Sequence, residues 1–351
     1  MINKNYCMSH YLAFRFIEDE NINFYEGLSH KNYKQDINKA VYPCATASDM
    51  DKVMKEKISK FVVPGKTAIF LSGGMDSAIV ASYLPEGTKA YTFKCIAEGA
   101  LDETSQAKKY ANKYKLDHEI IEMHWSDFEE LTPEILKYDG VPFHSIEVQL
   151  LKACKVAKAA GYTHILTGGG DVLFGGLSRL LSKDWEFDEF VEKYTFLDPK
   201  KALKNPVSIL DIYERYRLDN NKIDYRKFID EVFGCEADTS YMHIFDLAQV
   251  EKLDPYSYMS LAIPLDLERI RKGDSKYLIR ELFRMRYPEI EVPEKTPMPR
   301  ATEQWLKDYK TSRPEFIPGC TENMTGDQKW LCWCLEQFLN MHEPIKEKAY
   351  V

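Results

Sequence analysis

The spacing of apolar and polar residues along the chain changes at Thr67. From there, short apolar runs alternate with longer stretches in which apolar residues recur every three or four positions. The first pattern is typical of buried strands and the second of amphipathic helices. We predict strands at 67–71, 89–94, 118–122 and 163–167, and helices at 76–84, 102–115, 126–138 and 145–160. This alternation predicts an α/β fold, in which a parallel twisted sheet carries helices on both faces.

The flanking regions have other patterns. Residues 11–27 alternate apolar and polar positions around a Glu-Asp-Glu-Asn cluster, which predicts a hairpin. A mostly polar connector and a helix starting at 48–51 follow. Beyond 184 the pattern is helical and aromatic, with clear helices at 276–287 and 327–340. We therefore predict an N-terminal hairpin and connector (1–50) and a domain over 51–351, whose helical C-terminal part begins at about 184.

Composition narrows the classes of function. The chain has 351 residues, of which 44% are hydrophobic and 29% charged, as in an ordinary globular protein. Its net charge of −8 argues against a nucleic-acid partner. The N-terminus is too polar for a signal peptide, and no apolar run is long enough to span a membrane. The eight cysteines include no C-x-x-C pair, which favours reduced thiols and a cytoplasmic location.

The most informative segment is Ser72-Gly73-Gly74-Met75-Asp76-Ser77, which joins the first predicted strand of the alternation to its first helix. A glycine turn at this position exposes backbone N–H groups to an anion, and the helix dipole favours negative charge there. The serine hydroxyls add further donors. Asp76 would repel phosphates unless a cation stood between them, so the segment predicts a nucleotide with Mg²⁺. An ordinary glycine turn is the alternative.

A second glycine turn follows the strand at 163–167 and reads Gly168-Gly169-Gly170-Asp171-Val172-Leu173-Phe174-Gly175-Gly176. Asp76 and Asp171 each lie just past the end of a predicted strand, 95 residues apart in sequence. Because ligands bind beyond the carboxyl ends of parallel strands, both carboxylates are candidates for one Mg²⁺ site. The alternative is that Asp171 caps a helix.

Together these segments resemble the synthetase domain of asparagine synthetases and β-lactam synthetases, within the N-type ATP pyrophosphatase superfamily. The resemblance covers residues 51 to about 305 and includes a third segment, Asp102-Glu103-x-Ser105. It implies an adenine nucleotide alpha hydrolase-like fold and cleavage of ATP between its α- and β-phosphates. It further implies an AMP-forming carbon–nitrogen ligase that adenylates a small-molecule or peptide carboxylate and forms an amide.

The resemblance also implies roles for individual residues. Lys276 opens a Lys-x-x-x-Arg-Glu segment similar to the one that carries the family's catalytic lysine, and Lys295 stands where a second lysine is common. A fixed cation suits a reaction that builds negative charge on phosphate, although a solvated lysine at a helix start is the alternative for Lys276. Asp76 and Asp171 are the implied Mg²⁺ ligands. The implied ATP contacts are Leu71, Ser72, Gly73, Gly74, Asp76, Ser77, Phe93, Thr167, Gly168 and Gly169.

The chain departs from the family in two places. Gly168 stands where asparagine synthetases have a glutamate, and a valine follows Asp171, which argues against asparagine itself as the product. Only about 70 residues precede the first glycine loop, too few for the family's glutaminase domain. We expect that domain to be lost or to be carried by a separate chain.

Several alternatives remain open at this level. The amine could be free ammonia, an amine on another molecule, or an amine in the same molecule, which would make the protein a lactam or macrolactam cyclase. Sulfur or ammonia transfer to a base and a non-catalytic nucleotide-binding role are further alternatives. Candidate partners are a separate glutaminase, a carrier protein or a second copy of this chain. Residues 139–150 and 241–260 are candidates for substrate specificity, with His144 and Glu147 either substrate contacts or ordinary surface residues.

Overall fold

The computed structural model describes residues 1–34, 39–170 and 172–344, and its centre is a parallel sheet. The strands are β1 (Tyr42–Cys44), β2 (Thr67–Phe70), β3 (Lys89–Cys95), β4 (Asp117–Met123), β5 (His164–Leu166), β6 (Glu251–Leu253) and β7 (Met259–Leu261). Five of them form one sheet in the order β4-β3-β2-β5-β6, with every neighbouring pair parallel. The four predicted strands and their parallel pairing are confirmed.

Strand β6 was not predicted, and it lies beyond β5 at the edge of the sheet. It is only three residues long, Glu251-Lys252-Leu253, and just one of these is buried. A segment this short has no period that separates it from a loop. The short parallel pair of β1 with β7 was missed for the same reason.

The helices surround the sheet. They are α1 (Lys4–Phe14), α2 (Ala47–Phe61), α3 (Met75–Ala81), α4 (Thr104–Lys113), α5 (Trp125–Asp139), α6 (Ile146–Ala159), α7 (Phe187–Tyr194), α8 (Pro199–Ala202), α9 (Leu210–Glu214), α10 (Tyr225–Phe228), α11 (Gly234–Ala248), α12 (Leu267–Arg271), α13 (Tyr277–Arg286), α14 (Thr302–Trp305) and α15 (Gly326–His342). A π-turn (Ile229–Phe233) joins α10 to α11, and a 3₁₀ turn spans Pro255–Tyr258. The helices predicted around the sheet and at 276–287 and 327–340 are confirmed, with ends that shift by a few residues.

Both faces of the sheet are buried, as predicted. Along β2, Ala68 and Phe70 belong to one hydrophobic core, whereas Ile69 and the following Leu71 belong to another. Because successive side chains of a strand point to opposite faces, the two cores lie on the two sides of the sheet. Helices α1, α5, α6, α11 and α15 contribute to the first core, and α2, α3, α4 and α13 to the second. This double burial explains why the strand is a continuous apolar run.

A third core holds the aromatic residues between 185 and 233. Phe190, Tyr194, Tyr213 and Phe228 are buried in it, and the rings of Tyr194 and Phe228 meet edge to face at 4.6 Å between centroids. Edge-to-face contact is a preferred geometry for aromatic pairs. The aromatic stripes of this region therefore build the helical C-terminal part of the fold.

The hairpin predicted at residues 11–27 is wrong. The segment begins inside α1, which is capped by the Asn3 side chain and ends at Arg15 in a left-handed conformation (φ 67°). Every residue from Cys7 to Phe14 is buried. A helix buried on all sides has no polar face, so its helical period is invisible, and the apolar–polar alternation at 12–16 imitated a strand. The boundary between 1–50 and 51–351 remains a prediction.

Among the described helices, none is both long and apolar enough for a membrane span.

Candidate active site

The first glycine loop is shaped by its two serines. It leaves β2 after Phe70, and α3 begins at Met75. The Ser77 Oγ accepts a hydrogen bond from the Ser72 N–H at 2.9 Å and lies 2.9 Å from the Ser72 Oγ. The Ser72 Oγ in turn accepts from the Gly74 N–H at 3.1 Å. These bonds fold the loop back on the start of α3 and give it a fixed shape.

The second glycine loop lies directly against the first. It leaves β5 with the Thr167 N–H bonded to the Leu253 carbonyl of β6 at 3.0 Å. A Cβ on Gly168 would lie 2.6 Å from the backbone nitrogen of Ser77, and one on Gly169 would lie 2.8 Å from the Asp254 carboxylate. At Gly168 the neighbours are backbone atoms and only glycine fits, whereas at Gly169 a larger residue would displace the Asp254 side chain. The close approach explains why two glycine loops so far apart in sequence can form one surface.

Lys276 reaches this surface from a distant part of the chain. It caps α13 in a left-handed conformation (φ 53°), and its Nζ donates a hydrogen bond to the Asp76 Oδ2 at 2.6 Å. The lysine side chain is 5% exposed and the aspartate side chain 22%. Residues 200 positions apart thus form a buried ion pair at the start of α3. The unusual backbone of Lys276 is a cost that this ion pair helps to offset.

The loops and Lys276 enclose a cavity of about 220 Å³. Its lining includes all the sequence-predicted residues except Gly73 and Asp171, namely Leu71, Ser72, Gly74, Asp76, Ser77, Phe93, Thr167, Gly168, Gly169, Lys276 and Lys295. Gly73 lies behind the lining, where its carbonyl accepts a hydrogen bond from the Tyr110 hydroxyl at 3.1 Å. Asp171 lies outside the described residues.

Lys295 is held at the cavity by the end of the second glycine motif. Its Nζ donates to the Gly176 carbonyl at 2.7 Å. The Phe-Gly-Gly tail of that motif therefore holds the second lysine of the site in position.

Some cavity residues were not predicted as site residues. Glu103 lines the cavity, and its side chain packs so closely on Gly73 that a Cβ there would lie 2.9 Å from the glutamate Cβ. Burial raises the pKa of Glu103, although the backbone N–H of Gly73 acts against the shift. The Asp-Glu-x-Ser segment already pointed to this residue. Arg280, Tyr91, Tyr241 and Met298 also line the cavity. Arg280 belongs to the segment opened by Lys276 and Tyr241 to the segment 241–260, whereas for Tyr91 and Met298 we find no sequence signal.

His144 and Glu147, considered above as substrate contacts, do not line this cavity. Both are buried, with 8% and 3% of their surface exposed. They are not surface residues either. Of the two segments proposed for specificity, Leu150 and Tyr241 are the positions that reach the cavity wall.

The sequence of this region matches a known protein family. Residues 62–234 match the family model described as asparagine synthase. Residues 62–234 form an asparagine synthase domain. At the level of the family, this is a domain of ATP-using synthetases, and it contains both glycine loops of the site. Lys276 and Lys295 lie outside the matched residues.

Comparison with solved structures gives weaker similarities. An NMN synthetase from Francisella tularensis is 11% identical, with 64% of this chain and 100% of that chain covered at a TM-score of 0.28. The U34-tRNA thiolase NcsA from Methanococcus maripaludis is 12% identical, with 87% and 83% covered at a TM-score of 0.30. Neither similarity is high enough to support an inference about function. No curated protein matches the sequence.

Proposed function

We propose that the protein is an ATP-dependent, AMP-forming carbon–nitrogen ligase that adenylates a substrate carboxylate and passes the acyl group to ammonia or an amine. The observation that carries the proposal is the ion pair between Lys276 and Asp76, placed where the two glycine loops of an asparagine synthase domain meet. A buried cation beside the serine hydroxyls and glycine backbone of this loop suits a triphosphate.

In this proposal ATP lies in the 220 Å³ cavity. Its phosphates run along Ser72, Gly74 and Ser77, while Leu71 and Phe93 supply apolar surface for the nucleoside. The glycines leave no side chain between the loop backbone and the phosphate oxygens, so that the Gly74 N–H can exchange its Ser72 Oγ partner for a phosphate oxygen. The Ser72–Ser77 hydrogen bonds preorganise these groups before the nucleotide arrives.

The same residues fit a Mg²⁺ ion that accompanies ATP. Asp76 brings a carboxylate, the oxygen ligand that Mg²⁺ prefers, to the cavity wall. Asp171 is the second proposed ligand. Bound Mg²⁺ would supply charge neutralisation for the triphosphate. Lys276 already neutralises Asp76 without it, so we expect the ammonium group to turn towards the phosphates when the ion and ATP are bound.

The chemistry then has two steps. A substrate carboxylate oxygen attacks the α-phosphorus, and the bond to the β-phosphate oxygen breaks and releases pyrophosphate. An amine next attacks the acyl carbon, and AMP leaves. Lys276 and Lys295, which both line the cavity, hold positive charge near the oxygens on which negative charge grows. The apolar wall around Tyr91, Tyr241 and Met298 gives room for the carboxylate substrate.

Isotope exchange between pyrophosphate and ATP tests the first step. We expect exchange that depends on one carboxylic acid, and AMP rather than ADP as the product with amine present. Lys276→Met should lower the exchange rate by about 10²- to 10³-fold, as losing one charge-stabilising donor does in other enzymes. Lys272→Met is the matched control, because the Lys272 side chain is 72% exposed and forms its ion pair with Glu268, four residues earlier in the chain.

Formation of ADP, or equal exchange by the Lys276→Met and wild-type proteins, would refute the proposal. Mass spectrometry of the product identifies the amine. A product lighter than the substrate by one water indicates ring closure within one molecule, the lactam or macrolactam alternative. Incorporation of ammonia or of a second molecule indicates intermolecular amide formation.

A further inference from the structure

A second, smaller cavity lies apart from the glycine loops, where the end of α5, the start of α6 and the middle of α11 meet. Its volume is about 20 Å³, enough for a single ion or water molecule. Five ionisable residues line it, among them Asp139 from α5, Glu147 from α6 and His243 from α11; the other two are Arg15 and Glu236. Asp139, Glu147 and His243 are 3%, 3% and 6% exposed. None of them lines the larger cavity.

Oxygen atoms in this cavity lack hydrogen-bond donors. Within the described part of the chain, no donor bonds to Asp139 Oδ2 or Glu147 Oε2, and both are inaccessible to solvent. The other Glu147 oxygen, Oε1, accepts from the His144 N–H at 2.9 Å, which fixes the carboxylate in place. Buried carboxylate oxygens are normally hydrogen-bonded or bound to a cation. The pattern indicates that a shared proton or a cation lies between these oxygens.

The hydrogen bond made by the His243 Nε2 determines whether Nδ1 of the neutral ring carries a proton or a lone pair. Nε2 lies 2.7 Å from the Lys31 carbonyl, which can only accept, so Nε2 carries the proton. In the neutral ring Nδ1 then has a lone pair, and this atom lies 3.1 Å from Asp139 Oδ1. Two lone pairs that face each other at this distance need a proton or a metal ion near them. Ligand atoms of Asp139, Glu147 and His243 all lie within 4.8 Å of one another.

Arg15 also lines the cavity, but its hydrogen bonds go to residues other than Asp139 and Glu147. Arg15 donates to Glu236 at 2.9 Å and lies 3.0 Å from the His144 Nε2, and is therefore engaged with other groups. Two carboxylates so close together in a dry interior cannot both be ionised unless a cation joins them. Without a metal ion, burial raises the pKa of both the Asp139 and Glu147 carboxyls, while Asp139 outweighs the effect of burial on His243 and raises its pKa, so protons held by these three groups would take the place of the ion.

We propose that Asp139, Glu147 and His243 bind one divalent metal ion of the Zn²⁺ class, independently of the ATP site. One imidazole nitrogen and two carboxylates form a ligand set that Zn²⁺ commonly takes, at about 2.0–2.2 Å from each ligand. Adjacent ligands at that radius lie about 3 Å apart, close to the 3.1 Å between Nδ1 and Oδ1. The Nε2–H bond to a backbone carbonyl is the usual support of a metal-binding histidine.

The position of the proposed ion indicates a structural role. It would tie together α5, α6 and α11, and two of these helices continue to the larger cavity. Leu150 of α6 and Tyr241 of α11 line the wall of that cavity. A metal at their other face would hold the wall in one arrangement and stabilise the fold.

Cobalt titration of the whole chain tests the site. The protein is treated with chelator, freed of it, and titrated with Co²⁺ without ATP. We expect one equivalent to bind, with a visible d–d absorption band that Zn²⁺ abolishes. His243→Gln and Glu147→Gln keep size and hydrogen bonding but remove a ligand, and each should weaken Co²⁺ binding at least 10-fold.

Two control variants separate this site from others. His124→Gln alters an exposed histidine that lies 3.4 Å from a glutamate, and it should bind Co²⁺ as the wild type does. Asp76→Asn should also bind normally, because Asp76 belongs to the ATP site. A loss of binding in Asp76→Asn alone would assign the ion to that site and overturn the proposal.

One measurement needs no variant, in case the buried substitutions prevent folding. A histidine bound to Co²⁺ gives a strongly shifted, exchangeable N–H resonance in the proton NMR spectrum, and the Nε2–H bonded to the Lys31 carbonyl should supply it. Absence of that resonance, no stoichiometric binding by the wild type, or undiminished binding by His243→Gln each overturns the proposal.

Discussion

Contact between the two glycine loops can be tested by adding a single methyl group. In Gly168→Ala the new Cβ would lie 2.6 Å from the Ser77 nitrogen, 3.0 Å from its Cα and 3.1 Å from the Asp76 carbonyl carbon. All three neighbours are backbone atoms, so no flexible side chain can move aside. The φ angle of Gly168 is not in the left-handed region, and the substitution therefore acts through steric overlap alone.

The size of the effect follows from these distances. An ordinary contact begins near 3.4 Å, so the loops must separate by about 0.8 Å at this point. Overpacking of this kind costs about 1–3 kcal/mol. For a protein of this size that is a fall in melting temperature of several degrees. The shift moves Asp76 and Ser77 away from the second loop, and we expect ATP affinity to fall by at least about 10-fold, since positioning errors near 1 Å have large effects.

Two assays and one control variant test the predicted effect of Gly168→Ala. Chemical denaturation gives the free energy of unfolding, and calorimetric titration gives the affinity for ATP. Gly234→Ala is the control, because a Cβ at this position of α11 meets only the Ile229 carbonyl oxygen at 3.7 Å. It should be neutral or stabilise the protein by up to about 1 kcal/mol. The reasoning fails if Gly168→Ala binds ATP and unfolds like the wild type, or if both variants behave alike.

Three further predictions concern single side chains. Ser77→Ala leaves the Ser72 N–H without its 2.9 Å partner. It should lower the free energy of unfolding by about 1–2 kcal/mol and weaken ATP binding. Ser59→Ala, on the exposed face of α2, should do neither, and equal calorimetric affinities of the two variants for ATP would contradict this. Lys295→Met breaks the 2.7 Å bond to the Gly176 carbonyl and should slow pyrophosphate exchange about 10-fold. The effect should be smaller than that of Lys276→Met because Lys276, the lysine that contacts Asp76 of the first glycine loop, is kept. An unchanged rate would remove Lys295 from the catalytic residues. Burial alone would raise the pKa of Glu315, but Arg313 and Lys4 outweigh it and lower that pKa from 4.5 to about 2. This ion pairing therefore stabilises the fold above pH 4.5 and is lost as the pH falls towards 2, so Glu315→Gln should unfold about 1–2 kcal/mol more easily at pH 6. The difference from wild type in urea unfolding should shrink at pH 3, and a constant difference would contradict the assignment.

The local spacing of apolar residues and glycines was enough to predict the strand–loop–helix units of the fold. β2 is buried on both faces, so its apolar run is continuous, and the glycines after it were visible because their turn lies within ten residues of sequence. The same holds for α13, whose buried residues Leu278, Ile279, Leu282 and Phe283 form one stripe that faces a single core. Where burial differs regularly between the faces of a segment, the spacing of its apolar residues shows which face is buried.

Tertiary structure alone decided what lies between distant segments. α1 was misinterpreted because it is buried on every side, and β6 because three residues carry no period. The sequence offered Lys276 and Asp76 as separate candidates, but their 2.6 Å contact across 200 residues depends on how α13 packs on α3. The cluster of Asp139, Glu147 and His243 arises in the same way, from the meeting of three helices. Residue types and local periods are written in the chain, whereas distances between remote side chains follow only from packing.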